Sequence, residues 1–426
     1  MQTVISCQNL ADLSETITCI NADADYPVSR LLDSAPSIKF RTNNVREAVN
    51  CIHGDFSRDW AGLFAAARNN FTQSAKWATG VFVNTDLLVD GDVTSGTYWT
   101  GATSVSGGYA TVNTGDLDHL FGQTTATLDG AYLIRVNIQG FVNNSPSPKL
   151  RVGLSNSGFT AWKYAEIKPA VVADQYFYFL VDLDTADGDW DGTADAAYGA
   201  AAYLSIDATD DCEFEVWEAR LYRCSQHNLE SGLLPSVWPN MEAFQLGGLG
   251  LFSYDGAIPH DAFSTFFRLA YSLHETVAEV DENACWFVLI EDSANPDGYL
   301  EIGRLVVSAY WMPSRGPVLG QIDQAFIDFS KIQAGKGGGH QRRKAGSIQT
   351  LQFSLNSLRI YDTAGYWTRV RGGNVLTQDL VVIIWPDREI VGSDWFALYG
   401  RMDQSIKILF DGAGIYSMQL SFREKI

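Results

Sequence analysis

Alternation of apolar and polar residues dominates this chain. It is clearest in AYLIRVNIQG (131–140), QYFYFLVDLD (175–184), CEFEVWEARLYR (212–223), SIQTLQFSLNSL (347–358), LVVIIWP (380–386) and IYSMQLSFREKI (415–426). A period of two sends successive side chains to opposite faces of an extended chain, so each segment predicts a strand packed against a second layer. Gly, Asn, Asp and Pro punctuate the segments, as turns require. Long stretches of 3.6-residue period are nearly absent, and the expected fold class is all-β. Short apolar runs are ambiguous by pattern alone: VREAVNCI (45–52) and WAGLFAAARNN (60–70) read as strands or as helical turns, and IYDTAGYWTRVRG (360–372) predicts one short helix.

Length adds domain count to this picture. A chain of 426 residues exceeds one ordinary core and predicts two or three domains. Hydrophobic residues are 46% and charged residues 19%, without an apolar run long enough to cross a membrane, so a folded chain without membrane insertion is expected. Fifty acidic against thirty basic side chains give a formal charge of -20, which opposes binding to nucleic acid or anionic membrane. The start, MQTVISCQNLADLSE, lacks the basic and apolar regions of a secretory signal. Six cysteines at 7, 19, 51, 212, 224 and 285 show no CxxC or zinc spacing and read as buried free thiols, although Cys7/Cys19 and Cys212/Cys224 share one separation that suits cross-strand pairing.

Residues 84–225 are richer in Gly, Thr, Ser and Asp than their flanks. Their opening, NTDLLVDGDVTSGTYWTGATSVSGGYATV, and their last strand, EFEVWEARLYRC, resemble the jelly-roll carbohydrate-binding modules of phage tail and secreted glycan-active proteins. On either side, YPVSRLLDSAPSIKFRTNN (26–44) and ACWFVLIEDSANPDGYLEIGRLVVSAYWMP (284–313) resemble the early and late strands of a discoidin-like sandwich recurrent among phage tail proteins. Residues 314–426 resemble the sheet domain of phage distal tail and tail-tube-like proteins.

These resemblances imply nested β-sandwiches. An outer discoidin-like sandwich (1–83 and 226–313) would be interrupted by a jelly-roll insertion (84–225) and followed by a C-terminal β domain with one short helix (314–426). They also imply a non-catalytic structural component of a phage tail tip or baseplate, located in the virion tail and assembled in the host cytoplasm. Its partners would be copies of itself in a ring, other tail tube, hub or baseplate proteins, and host surface polysaccharide. The alternative is a glycan hydrolase or lyase with an accessory module.

Sugars are held by aromatic faces beside planar polar groups. Candidates are Tyr98, Trp99, Trp162 and Trp190, with Tyr109 and Tyr164 beside them; the competing reading is that large aromatics at alternating positions form core. DLDTADGDWDGTAD places Asp187, Asp189 and Asp191 before Gly192 like the start of a calcium loop, but Tyr198 stands where the bidentate Glu belongs, leaving a structural calcium or a solvated acidic turn. No other cofactor is expected. KIQAGKGGGHQRRKAGS concentrates Lys331, Lys336, Arg342, Arg343 and Lys344 without a phosphate-loop pattern; it suits contact with an acidic neighbouring subunit, or else packaged DNA in a tail lumen. No GxSxG or HExxH occurs and the six histidines are scattered, so no catalytic constellation is legible.

Overall fold

The structure, a computed structural model, describes residues 3–425 except 34, 36, 44–49, 56–62, 72–75, 114–120, 129, 144–149, 156–161, 168–174, 184–200, 209–211, 231–268, 274–283, 293–294, 318–321, 329–330, 335–339, 344–346, 366–377, 385–396 and 404–406. The fold is all-β with antiparallel, sandwich-like sheets. An eleven-stranded sheet runs in the order Leu269–Leu273, Leu63–Asn69, Glu301–Trp311, Thr3–Asn9, Leu380–Ile384, Ala397–Met402, Ile415–Glu424, Ser347–Arg359, Ile322–Asp328, with two further strands attached. A nine-stranded sheet runs Gln175–Asp182, Ala131–Asn143, Cys212–Glu230, Lys76–Val83, Ala284–Glu291, Asn50–Asp55, Ile17–Thr18, with the hairpin Ser104–Ser106 and Tyr109–Asn113 on its side. A five-stranded sheet runs Trp162–Ile167, Leu150–Ser155, Ala201–Ala208, Phe121–Leu128, Trp99–Thr100.

Period-two alternation explains how these sheets share cores. Ile134, Val136, Phe177, Phe179, Phe214 and Leu221 of the nine-stranded sheet pack with Val152, Leu204 and Ile206 of the five-stranded sheet, in a core drawn wholly from residues 88–221. A second core joins Phe40, Phe64, Trp286, Val288, Ile302 and Leu305, from both sides of that segment in sequence. A third joins Ile5 and Trp311 to Leu351, Phe353, Leu420 and Phe422. The alternate positions are equally apolar. Leu133, Tyr178, Leu180 and Tyr222 meet Cys51, Phe82, Phe287 and Leu289, so the nine-stranded sheet is buried on both faces where its two halves adjoin. Each large side chain so enclosed stabilises the fold by about 1.5–3 kcal/mol.

Local ambiguities resolve through pairing. The first ambiguous segment ends in strand Asn50–Asp55 and the second contains strand Leu63–Asn69, because each finds a partner with open backbone groups: Ala284–Glu291 for the first, Glu301–Trp311 for the second. The expected short helix is present at Ile360–Gly365; the remainder of the segment that suggested it lies outside the described residues. All six cysteines are buried free thiols; burial pushes Cys19 and Cys285 up to about 12 and Cys51 well above its usual range.

Two expected boundaries are crossed by continuous structure. The division at 225/226 falls inside strand Cys212–Glu230, which pairs with Ala131–Asn143 through its first part and with Lys76–Val83 through its last. Strand Thr3–Asn9 pairs with Glu301–Trp311 on one side and Leu380–Ile384 on the other, so the outer sandwich and the C-terminal segment share a sheet. Within the outer sandwich, buried Arg304 donates to Leu31 O at 3.0 Å and to Asp12 Oδ2 at 2.5 Å.

The shared sheet holds an ionisable group in a poor environment for charge. Glu424 accepts from Gln349 N at 2.9 Å and faces Arg68 at 3.6 Å, yet burial dominates and raises its carboxyl to about 7. A raised folded-state value means that the folded chain holds a proton that the unfolded chain, with its ordinary carboxyl near 4.5, has released. The resulting stability is fully present below about 4.5 and is lost as pH rises through about 7. The difference in unfolding free energy between wild type and Glu424→Gln, followed by urea titration, therefore changes by about 3 kcal/mol between pH 4.5 and 8. A pH-independent difference contradicts this placement of the carboxyl.

Candidate functional site

The face of the nine-stranded sheet that turns away from the core of residues 88–221 carries the candidate surface. Strand Cys212–Glu230 sends Phe214 and Val216 into that core and leaves Glu213, Glu215 and Trp217 half-buried on the opposite side. Its ladder with Ala131–Asn143 runs regularly from Tyr132↔Arg223 to Asn137↔Glu218, then shifts to Ile138↔Val216, leaving Trp217 as an extra residue. It shifts again between Gln139↔Glu215 and Val142↔Glu213, where Gly140 has φ 57°. Such bulges bend a strand and re-aim its side chains. A Cβ on Gly140 would lie 3.2 Å from Glu215 Cδ, so the glycine makes room for that carboxylate.

The other edge of the strand brings in the second ring. Gly107 and Gly108, with φ of 73° and 89°, form the two-residue turn between Ser104–Ser106 and Tyr109–Asn113. Pairing of Glu215 with Thr111 and Val216 with Ala110 then sets Tyr109 beside Trp217. The rings stack with centroids 4.6 Å apart and 17° between planes. Trp217 Nε1 donates to Glu215 Oε2 at 2.9 Å. Further along the same face, Arg135 Nε donates to Glu218 Oε1 at 2.6 Å. Burial opposes the charge of Arg135, but the surrounding Tyr178, Tyr222 and Glu218 favour it and raise its value overall.

The turn before the module's first strand is braced rather than open. Asp86 accepts from Leu88 N and Leu221 N and pairs with Arg220 at 3.0 Å, and Asp92 also pairs with Arg220. Asp90 accepts from Thr94 N, Thr94 Oγ1 and Ser95 N, hydrogen bonds that hold its carboxyl below the usual range against a contrary desolvation effect. Gly91 fits where a Cβ would meet Arg220 Nη1 at 2.6 Å and Ala219 O at 2.8 Å.

Trp99 does not serve as a sugar platform. It is 4% exposed, packs in the core of residues 88–221, and donates from Nε1 to Asp90 O at 3.0 Å, leaving no ring face for a ligand. Tyr98 points outward at 47% exposure. Trp162 and Tyr164 lie in strand Trp162–Ile167, opposite Ser155 and Gly153. Arg342 and Arg343 lie in strand His340–Arg343, paired with Ile332 and Lys331 of Lys331–Ala334. Trp190, Asp187, Asp189, Asp191, Lys336 and Lys344 lie outside the described residues. The structure thus brings together Tyr109, Trp217 and Glu215, of which only Tyr109 stood out in the sequence.

No protein-family model matches the chain, and no curated protein matches it. Among solved structures, it is similar to a family 29 carbohydrate-binding module complexed with cellulohexaose, at 15% identity and a TM-score of 0.22, covering 35% of this chain and 93% of that one. It is also similar to the CBM22-1 xylan-binding domain of Paenibacillus barcinonensis Xyn10C, at 13% identity and a TM-score of 0.16, covering 39% of this chain and 97% of that one.

Two substitutions test the roles given to the entry turn and to Trp99. Trp99→Ala removes a core ring and lowers unfolding free energy by about 3–5 kcal/mol. Gly91→Ala forces a clash at the Asp86–Arg220 bridge and costs about 1–3 kcal/mol. Chemical denaturation monitored by tryptophan fluorescence measures both; a Trp99→Ala chain of wild-type stability contradicts the buried placement.

Proposed function

We propose that this chain is a non-catalytic structural subunit of a phage tail tip or baseplate that presents a glycan-binding β-sandwich module to the host surface. The observation that carries the reading is the module's construction. Residues 88–221 supply a complete sandwich core of their own, while strand Cys212–Glu230 continues from that module into the body. A module built this way is held in a fixed direction by the body, which suits presentation of a binding face rather than a tethered search.

The tail assignment is supported by the resemblance of residues 26–44 and 284–313 to the discoidin-like sandwich recurrent in phage tails, and of residues 314–426 to distal tail and tail-tube-like sheet domains. Ring symmetry would multiply weak sites into strong attachment. Copies of the same chain and other tail tube, hub or baseplate proteins are the assembly partners in this reading, and the virion tail is its location.

Light scattering on the full chain combined with a reducing-sugar assay on host polysaccharide tests the reading. The expected result is a particle at a multiple of the 46.9 kDa chain mass that releases no sugar. A monomer that releases sugar refutes it in favour of a glycan-active enzyme.

A further inference from the structure

We infer that the glycan site of the module is the double-bulged face formed by Trp217, Tyr109 and Glu215, and that Glu215 makes it selective for uncharged sugars over uronate-bearing ones. The inference rests on the glycan-binding reading and adds the place and the ligand class. Several features converge there. The ladder between Ala131–Asn143 and Cys212–Glu230 is interrupted twice, and both interruptions fall at this face, one at Trp217 and one opposite Glu215. Gly140 adopts φ 57° and leaves the space that the Glu215 carboxylate fills. The positive-φ pair Gly107 and Gly108 turns the chain so that Tyr109 stacks on Trp217 at 4.6 Å.

Stacking covers one face of each ring, and because Tyr109 and Trp217 stay half-buried rather than buried, the outer face and edge of the pair are left for a single pyranose, whose C–H face packs on an aromatic ring while its hydroxyls need fixed acceptors. Glu215 supplies that acceptor. Its Oε2 accepts from Trp217 Nε1, which orients the carboxylate beside the ring. Glu213 lies two residues away on the same face of the strand, and Glu218 is already paired with Arg135. An anionic sugar brought to this surface meets like charge at short range in a partly desolvated setting, where repulsion is stronger than in bulk water. Discrimination then comes from repelling the wrong ligand as much as from holding the right one. Trp99, by contrast, contributes to the fold of the module and touches no ligand.

The test is affinity gel electrophoresis of the full chain through neutral galactomannan and anionic polygalacturonate, with melting curves to establish that each variant is folded. Wild type is expected to be retarded by galactomannan and to pass polygalacturonate freely. Trp217→Ala weakens the galactomannan interaction by roughly tenfold or more, and Trp217→Phe, which keeps a ring, recovers part of it. Glu215→Gln keeps an acceptor for the indole N–H, retains galactomannan binding and gains retardation by polygalacturonate. Retardation that survives Trp217→Ala unchanged, or wild-type preference for polygalacturonate, overturns the site while leaving glycan binding intact. Passage of the wild type through both gels without retardation overturns the site and the glycan-binding reading together.

Discussion

One strand carries the architecture. Cys212–Glu230 is nineteen residues long, about three times an ordinary strand, and it belongs to two sandwiches in turn. Its first part closes the core of residues 88–221, and its last part pairs with Lys76–Val83, which in turn pairs with Ala284–Glu291 of the body. Because backbone hydrogen bonds must be satisfied along its whole length, detaching either half leaves a ladder unpaired in the middle of a shared sheet. The core shared by Tyr178, Tyr222, Cys51 and Phe287 adds an apolar contact at the point where the strand passes from one unit to the next.

This continuity gives an insertion the mechanical properties of a fused layer. Insertions usually enter at surface loops whose ends lie close together; here the two ends are themselves adjacent strands of one sheet, Lys76–Val83 leading in and the end of Cys212–Glu230 leading out. The C-terminal segment is joined by the same device, since Thr3–Asn9 lies between Glu301–Trp311 and Leu380–Ile384. With a formal charge of -20 the chain carries considerable self-repulsion, and sheets that run across unit boundaries oppose it with directional bonds that salt does not screen.

Much of this was legible in the sequence. Alternation in AYLIRVNIQG, QYFYFLVDLD and CEFEVWEARLYR marks three strands that lie side by side. The boundaries were less legible, because Cys212–Glu230 passes through residue 225 as one strand of one sheet, with no more than a register shift between Cys224 and Gln226. The candidate site left a signal of a finer kind. Core positions on Cys212–Glu230 are Phe214 and Val216, then Ala219 and Leu221; on Ala131–Asn143 they are Ile134, Val136 and Ile138, then Phe141. In each strand the apolar phase slips by one residue, at Trp217–Glu218 and at Gly140, and such a slip is the sequence signature of a bulge. Trp99 was open between sugar platform and core in the sequence; the structure makes it core, and the acceptor of its indole N–H is a backbone carbonyl at Asp90, invisible to side-chain pattern.

The central claim is that module and body form one continuous sheet rather than two tethered units, and amide hydrogen exchange along Cys212–Glu230 tests it most directly. The account predicts that amides in residues 212–223 and 224–230 are protected together and lose protection in a single opening event as denaturant is added. Protection that persists in residues 212–223 after residues 224–230 have opened, or the reverse, would contradict it.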